Sequence, residues 1–140
     1  MDIKAYEYIY NGLKNYNEKK GKPYGNKVLQ KPPIPNKDNQ VKYPITIISE
    51  IRNVDDANFN TPFDRVSNLG YKISVFAKRK GEIESLLIAR EISKLANDYM
   101  SNIGLKRVSY SDFDLENDGS IHAIIMNFTG NLHENTRRII

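Results

Sequence analysis

Hydrophobic residues near the N-terminus recur at steps of three and four, the spacing of one face of an α-helix. In residues 2–20 this stripe consists of Ile3, Tyr6, Ile9, Tyr10, Leu13 and Tyr16. Asp2 is suited to cap the helix at its start, and Gly21 followed by Pro23 is suited to end it. The pattern therefore predicts a first amphipathic helix over residues 2–20.

A proline-rich segment follows this helix, and residues 21–44 contain five of the six prolines in the chain. Because proline fixes φ and lacks a backbone donor, we expect residues 21–43 to form an extended arm on the surface. One short edge strand is expected within it, near Lys27–Gln30. Residues 1–43 also carry nine of the 21 Lys and Arg against four of the 17 Asp and Glu, a net charge of +5. The basic arm either contacts an acidic neighbour or is only solvated.

Alternation of apolar and polar residues predicts four strands in the rest of the chain. They cover approximately residues 43–51, 69–78, 106–115 and 120–129. Asp118-Gly119, a dipeptide typical of hairpins, joins the last two. Both faces of the fourth strand are rather apolar, so we expect it to be a central strand: Ile121, Ala123 and Ile125 alternate with His122, Ile124, Met126 and Phe128.

A second helical pattern covers residues 82–101, where apolar residues again recur at steps of three and four. Glu82 and Glu84 in its first turn favour the helix dipole. Gly104 is suited to end this helix in the left-handed conformation, with Leu105 packing back onto it. This is the strongest helical pattern in the chain.

These elements predict a single α+β domain. Its core is a mainly antiparallel four-stranded sheet packed by an N-terminal helix and a central helix, with an extended Pro-rich arm. The 140 residues divide into a helix at 1–20, a basic arm at 21–43, an α+β body at 44–132 and a polar tail at 133–140.

The connection between the first two predicted strands, residues 52–68, is too long and polar for a tight hairpin. Loops of this length in compact domains are usually functional or disordered. This one carries two aromatic anchors and three acidic residues: Phe59, Phe63, Asp55, Asp56 and Asp64. We expect an interaction loop, and a disordered excursion is the alternative.

Three consecutive cations, Lys78, Arg79 and Lys80, lie where the second strand gives way to the second helix. Glu82 and Glu84 follow at once and largely balance their charge. Nucleic-acid binding would need more cations interleaved with aromatic residues. A solvated corner is therefore the first interpretation, a charged contact with a protein partner the second, and nucleic-acid binding the third.

Candidate chemistry is sparse. The chain has no Cys and two His, which excludes thiolate chemistry and disfavours a His-rich metal site. The acidic run from Asp114 resembles the opening of a calcium-binding EF-hand loop, but its twelfth position is Ile125 instead of Glu. Alternating acidic residues on an exposed strand face explain this run better. Glu50 and the acidic residues of the 52–68 loop do not by themselves establish a metal-nuclease cluster. We predict no catalytic residue, metal or cofactor.

The sequence also predicts a protein outside the membrane. No apolar stretch approaches the roughly 18 residues that a membrane-spanning helix needs. Asp2, Lys4 and Glu7 interrupt the N-terminal stretch, which a signal-peptide core would not tolerate. We therefore expect synthesis in a cytoplasm.

The body resembles the tail terminator proteins of tailed bacteriophages and prophages, also called tail completion or tail-to-head joining proteins. The resemblance rests on "ITIISEI" and the Asp-rich loop after it, then on "GYKISVFAKRKGEIESLLIAREIS", "YMSNIGLKRVS", the acidic turn and "IHAIIMNFTGNL". The N-terminal helix and the proline-rich arm fit the same layout, so the resemblance covers most of the chain.

This resemblance implies a structural protein of the virion and not an enzyme. Members of the family form a hexameric ring that caps the finished tail tube, stops its elongation and offers a joining surface to the head-side connector or neck protein. Genomic DNA passes through the lumen without specific binding. The location implied is the head-proximal end of the tail, after assembly in the host cytoplasm.

Other functions stay open at the level of sequence. A head-completion or neck connector protein of the same machinery is the nearest alternative. A small nucleic-acid-binding or nuclease domain is less consistent with the residues, and an enzyme with an unrecognised site is the remaining class.

Overall fold

In a computed structural model of the chain, two helices pack on one face of a six-stranded mixed sheet. The structure describes residues 3–20, 27–30, 43–56, 65–115, 120–133 and 138–139. The helices are α1 (Ala5–Lys20) and α2 (Ser85–Asn102). The strands are β1 (Lys27–Leu29), β2 (Ile45–Asp55), β3 (Val66–Lys78), β4 (Lys106–Asp114), β5 (Ile121–His133) and β6 (Arg138–Ile139). The predicted α+β class is confirmed.

The sheet is larger than the predicted four antiparallel strands. Its strand order is β1-β2-β3-β5-β4, and β6 pairs with the end of β5. The pairs β2–β3, β3–β5 and β4–β5 are antiparallel, whereas β1 runs parallel to β2. A parallel pair needs a long connection to return the chain to the same end of the sheet, and residues 30–44 are long enough to do so.

Most of the predicted arm, residues 21–26 and 31–42, lies outside the described residues, as do residues 134–137 and 140 of the predicted tail. Residues 27–30 contain β1, which is the short edge strand expected there. Val28 of this strand is 1% exposed and belongs to the core, beside Thr46 of β2. Residues 27–30 therefore form the predicted edge strand and contribute one core residue, whereas the extended Pro-rich arm is not confirmed.

One hydrophobic core fills the space between the helices and the sheet. Across neighbouring strands, Ile48, Ile73 and Met126 form one row of that face. Along each strand, every second side chain points toward the helices, because successive residues of a β-strand face opposite sides of the sheet. α2 adds four fully buried residues at near-helical spacing: Ile88, Ile92, Ala96 and Met100.

The face that α1 presents to the core is rotated from the predicted stripe, and consists of Ala5, Ile9, Leu13 and Asn17. Ile3 precedes the helix and is 80% exposed. The tyrosines flank the core: the Tyr6 hydroxyl donates to the Ile48 carbonyl at 2.7 Å, and the Tyr10 hydroxyl to the Val28 carbonyl at 3.3 Å. These two hydrogen bonds connect α1 to β2 and β1.

The end of α2 matches its prediction. Gly104 has φ +100°, a left-handed conformation that favours glycine. Its amide donates to the Ser101 carbonyl at 3.0 Å, and the Leu105 amide donates to the Met100 carbonyl at 2.9 Å. This pair of bonds is a Schellman motif, and Leu105 is buried behind it.

The start of α2 differs from its prediction, because the helix begins at Ser85 with Glu84 as its N-cap. The preceding residues form a tight turn in which Lys80 and Ile83 exchange backbone hydrogen bonds of 3.0 Å. Gly81 in this turn has φ +62°. Glu82 thus belongs to the turn and not to the helix.

Gly12 of α1 allows the two helices to approach closely. A Cβ atom added there would lie 1.7 Å from the Tyr99 hydroxyl of α2. The Tyr99 ring is itself packed at 5.7 Å, between ring centroids, from Tyr16. A side chain at this position of α1 would therefore displace the Tyr99 ring from its place on α2.

Gly12→Ala is expected to lower the free energy of unfolding by about 1–2 kcal/mol, although alanine favours a helix by about 1 kcal/mol over glycine. The reason is that Tyr99 must leave its place. Urea denaturation checks the value. In a Tyr99→Ala background the same Gly12→Ala change should stabilise the protein. A stabilising effect in both backgrounds would contradict this packing.

Candidate functional site

The basic corner predicted at residues 78–80 is held by contacts within the chain. The Lys78 ammonium lies 4.9 Å from the centre of the Tyr43 ring. Arg79 donates from Nε to the Gly81 carbonyl at 2.9 Å, and its guanidinium lies 3.8 Å from Glu84 in an exposed pair. These local contacts favour the interpretation as a strand-to-helix corner. A role for Lys78, Arg79 and Lys80 in binding stays a prediction.

The predicted interaction loop is shorter than expected, because β2 continues to Asp55 and β3 begins at Val66. Asp55 is therefore a strand residue opposite Ser67, and the Asp56 amide donates to the Val66 carbonyl at 2.8 Å. Phe59, Phe63 and Asp64 lie outside the described residues, and their predicted role stays a prediction.

The structure does not bring the basic and acidic candidate residues together. Ile45 of β2 pairs with Phe76 near the basic corner, whereas Asp55 lies ten residues further along the same strand. At about 3.3 Å per residue the two groups are about 30 Å apart. They occupy opposite ends of the sheet and do not form one site.

The face of the sheet turned away from the helices is also apolar at one end. Ile45, Phe76, Ala123 and Phe113 are neighbours across four strands in one row of this face. The next row includes Ile47 and Ile125, and beyond it the face becomes polar with Lys72 and Asn127. Phe113, on the edge strand, is 40% exposed. We call this surface, residues 45, 47, 76, 113, 123 and 125, the outer apolar face.

A buried histidine lies between two carboxylates on the helix side of β4 and β5. His122, 7% exposed in its side chain, contacts Asp114 through Nδ1 at 2.8 Å and Asp112 through Nε2. The second oxygen of Asp112 accepts hydrogen bonds from Arg90 Nε and from the Tyr110 hydroxyl, both at 2.9 Å. Asp114 is exposed on β4, as predicted for the acidic run, and Glu116 and Asp118 lie outside the described residues.

The electrostatics of this cluster favour an ionised Asp112. Burial alone would raise the pKa of its carboxyl group, but hydrogen bonds from His122, Arg90 and Tyr110 outweigh burial and lower the pKa. For Tyr110, burial and then the hydrogen bond to Asp112 raise the pKa of the phenol. The cluster is thus a set of mutually satisfied charges, which by itself is suited to fixing β4 and β5 to α2.

Next to this cluster, a groove of about 340 Å³ runs between α2 and the edge strand β4. Its lining contains three cations, Arg90, Lys94 and Arg107, with Met126 at its base. Arg107 lies 5.1 Å from the centre of the Tyr110 ring. We call this feature the basic groove.

A second cavity, of about 260 Å³, is apolar and lies beside α1 at the other end of the sheet. Among the described residues that line it, Tyr8 alone has a polar group on its side chain; the others are Ala5, Ile9, Leu69, Ile103, Leu132 and Ile139. This lining is suited to an apolar group and supplies no pair of residues for acid–base chemistry.

Sequence reasoning missed the cluster and the groove. The predicted hairpin at Asp118-Gly119 could have indicated part of the cluster, because a hairpin centred on residue 118 places Asp114 opposite His122. The two residues pair in this way in the structure. The groove had no such signal, since Arg90 and Arg107 come from different elements.

Over the described part of the chain, no group of three or more His, Asp or Glu side chains has a geometry that could hold a metal ion. Neither of the two described helices is both long enough and apolar enough to cross a membrane. Comparison of the sequence with protein-family models and with curated protein sequences finds no match.

Proposed function

We propose that this chain is a structural assembly protein of a bacteriophage or prophage tail. In this proposal it forms a ring, hexameric by the family resemblance, that caps the tail tube, stops its elongation and offers the joining surface for the head or neck. Its partners are copies of itself, the tail-tube protein and the head-side connector. DNA passes through the lumen without specific binding, and neither a cofactor nor a membrane is involved.

The observation that carries the proposal furthest is the outer apolar face. Ile45 and Ile47 are already buried within the single chain, whereas Phe76 and Ile125 on the same face are only partly buried. Phe113 extends the same row to the edge of the sheet, where it is 40% exposed. A monomeric domain normally exposes its second sheet face as a polar surface. Apolar residues on both faces suit a sheet that lies between its own helices and a neighbouring subunit.

The separation of the charges supports a ring in particular. A closed ring is built from heterologous contacts, in which one surface of a subunit meets a different surface of the next. The basic corner and Asp55–Asp56 are about 30 Å apart at opposite ends of β2 and β3. The two ends of the sheet therefore present different surfaces, which favours head-to-tail contacts over a contact between identical surfaces.

Mass photometry of the purified protein, alone and with a tail-tube protein, tests this proposal. We expect rings, or association with tube ends, and loss of both in Phe113→Glu, because a carboxylate on the outer apolar face would be buried at the contact. Leu87→Glu is the matched control, since Leu87 is 54% exposed on α2. A monomer under every condition would contradict the proposal, and rings that bind a connector but never a tube would favour the neck protein.

A further inference from the structure

We propose that the basic groove and the outer edge of β4 together form a docking site for an extended acidic segment of a partner protein. The segment would add a strand to the sheet beside β4 and direct carboxylates into the groove. This inference concerns a different surface from the outer apolar face and does not depend on ring formation.

The edge of β4 offers the backbone half of such a site. β4 is the last strand in the order β1-β2-β3-β5-β4, and none of the strands that the structure describes pairs with its outer side. Eight of its nine residues are exposed, in agreement with an open edge. An unpaired strand edge presents N–H and C=O groups to a further strand, and added strands are a general mode of peptide recognition.

The groove offers the charged half. Arg90 and Lys94 lie one turn apart on α2, and Arg107 faces them from β4. Arg90 already binds Asp112, but Lys94 and Arg107 form no ion pair with any described residue. Two cations that lack a carboxylate partner within the described ranges therefore line a groove that is open to solvent.

Asp112 is an example of a strand carboxylate bound by Arg90 of α2, with Tyr110 of β4 as a second donor. Arg90 and Tyr110 both donate to the same oxygen of its side chain at 2.9 Å. An added strand would lie about 4.8 Å beyond β4, with side chains on the groove side every 6.6–6.8 Å or so. The axial spacing of Arg90 and Lys94 on α2 is about 6 Å. Acidic residues at alternate positions of the segment therefore match the spacing of the cations.

The same geometry disfavours single-stranded nucleic acid as the occupant. Base stacking needs open aromatic faces. In the groove, Asp112 holds the Tyr110 hydroxyl and Arg107 covers one face of its ring. Tyr110, 42% exposed, is the single aromatic residue among the described residues that line the groove, whereas the strand edge beside it suits a peptide.

Fluorescence polarisation with the labelled peptide Glu-Val-Glu-Val-Glu-Val, blocked at its C-terminus, tests the site. We expect salt-dependent binding that weakens at least tenfold in the double variant Lys94→Ala, Arg107→Ala. The matched control is Arg52→Ala with Lys72→Ala, which removes the same charge from exposed positions on the opposite face. The control should bind within twofold of the unsubstituted protein, and both double variants should keep its melting temperature.

Three further measurements separate strand addition from its alternatives. A peptide of the same charge with N-methylated backbone amides should bind at least tenfold more weakly, and equal binding would overturn the proposal. An oligo-dT that binds the groove more tightly than the peptide would assign it to nucleic acid instead. Self-association in sedimentation velocity that disappears in the Lys94, Arg107 variant would identify a second copy as the occupant, which also overturns it. If the control variant weakens peptide binding equally, the binding is due to general charge attraction and the proposal is overturned.

Discussion

Asp112→Asn is expected to lower the free energy of unfolding at pH 7 by about 1–2 kcal/mol, because hydrogen bonds to a charged group are lost while the exposed Arg90 is largely screened by solvent. Asparagine keeps the shape of the side chain but loses the charge that Arg90 and His122 contact. The carboxylate is 15% exposed, so solvent screens it only in part. Chemical denaturation of both proteins at pH 7 measures this difference.

The effect should depend on pH in a defined direction. The native pKa of Asp112 lies below its ordinary value, which is near 3.9 in an unfolded chain. The ionised carboxylate therefore stabilises the native state fully above about pH 5, and this stabilisation is lost as the pH falls through the native pKa. We expect the difference between the two proteins to shrink as the pH falls below about 4.

Asp98→Asn is the control for this prediction. Asp98 is a partly exposed carboxylate of α2 that forms no hydrogen bond or ion pair with the described residues. Its substitution should change stability by less than about 0.5 kcal/mol and leave the pH profile unaltered. A profile of Asp112→Asn that runs parallel to that of the unsubstituted protein down to pH 3 would contradict the role given to the carboxylate.

Hydrophobic spacing in the sequence predicted those helices and strands whose buried residues follow the regular spacing of the element. The Gly104 stop of α2 was predictable because glycine is the residue that a left-handed cap favours, and the observed φ of +100° agrees. The faces of α1 were harder to predict. Its tyrosines belong to the apolar stripe in the sequence, but in the structure they lie at the edge of the core. There the hydroxyls of Tyr6 and Tyr10 donate hydrogen bonds to backbone carbonyls.

The hydrophobic pattern could not predict features that depend on contacts between distant parts of the chain. β1 has three residues, and its parallel pairing with β2 is decided by the route of the chain between them. The groove combines Lys94 of a helix with Arg107 of the following strand, two residues with no common period. By contrast, the candidate residues Lys78 to Lys80 formed a run in sequence, and the structure shows two of them bound within their own corner.

The second large effect is expected at Asn17, a polar residue in the core. Asn17 is fully buried on the face of α1 that also carries Leu13. Neither its amide nitrogen nor its oxygen has a hydrogen-bond partner among the residues that the structure describes. A buried polar group without a partner costs about 1–3 kcal/mol, because it loses its hydrogen bonds to water and gains none in return.

Asn17→Leu should therefore raise the free energy of unfolding by about 1–3 kcal/mol, as leucine has the same branching and the same number of side-chain heavy atoms. Asn15→Leu is the matched control, since Asn15 is exposed on the same helix and gains only the difference in helix propensity, about 0.5 kcal/mol. Thermal and urea denaturation of both variants separate the two contributions. If Asn17→Leu is no more stable than Asn15→Leu, the amide must be hydrogen-bonded in solution, and the buried face of α1 must open enough to admit its partner.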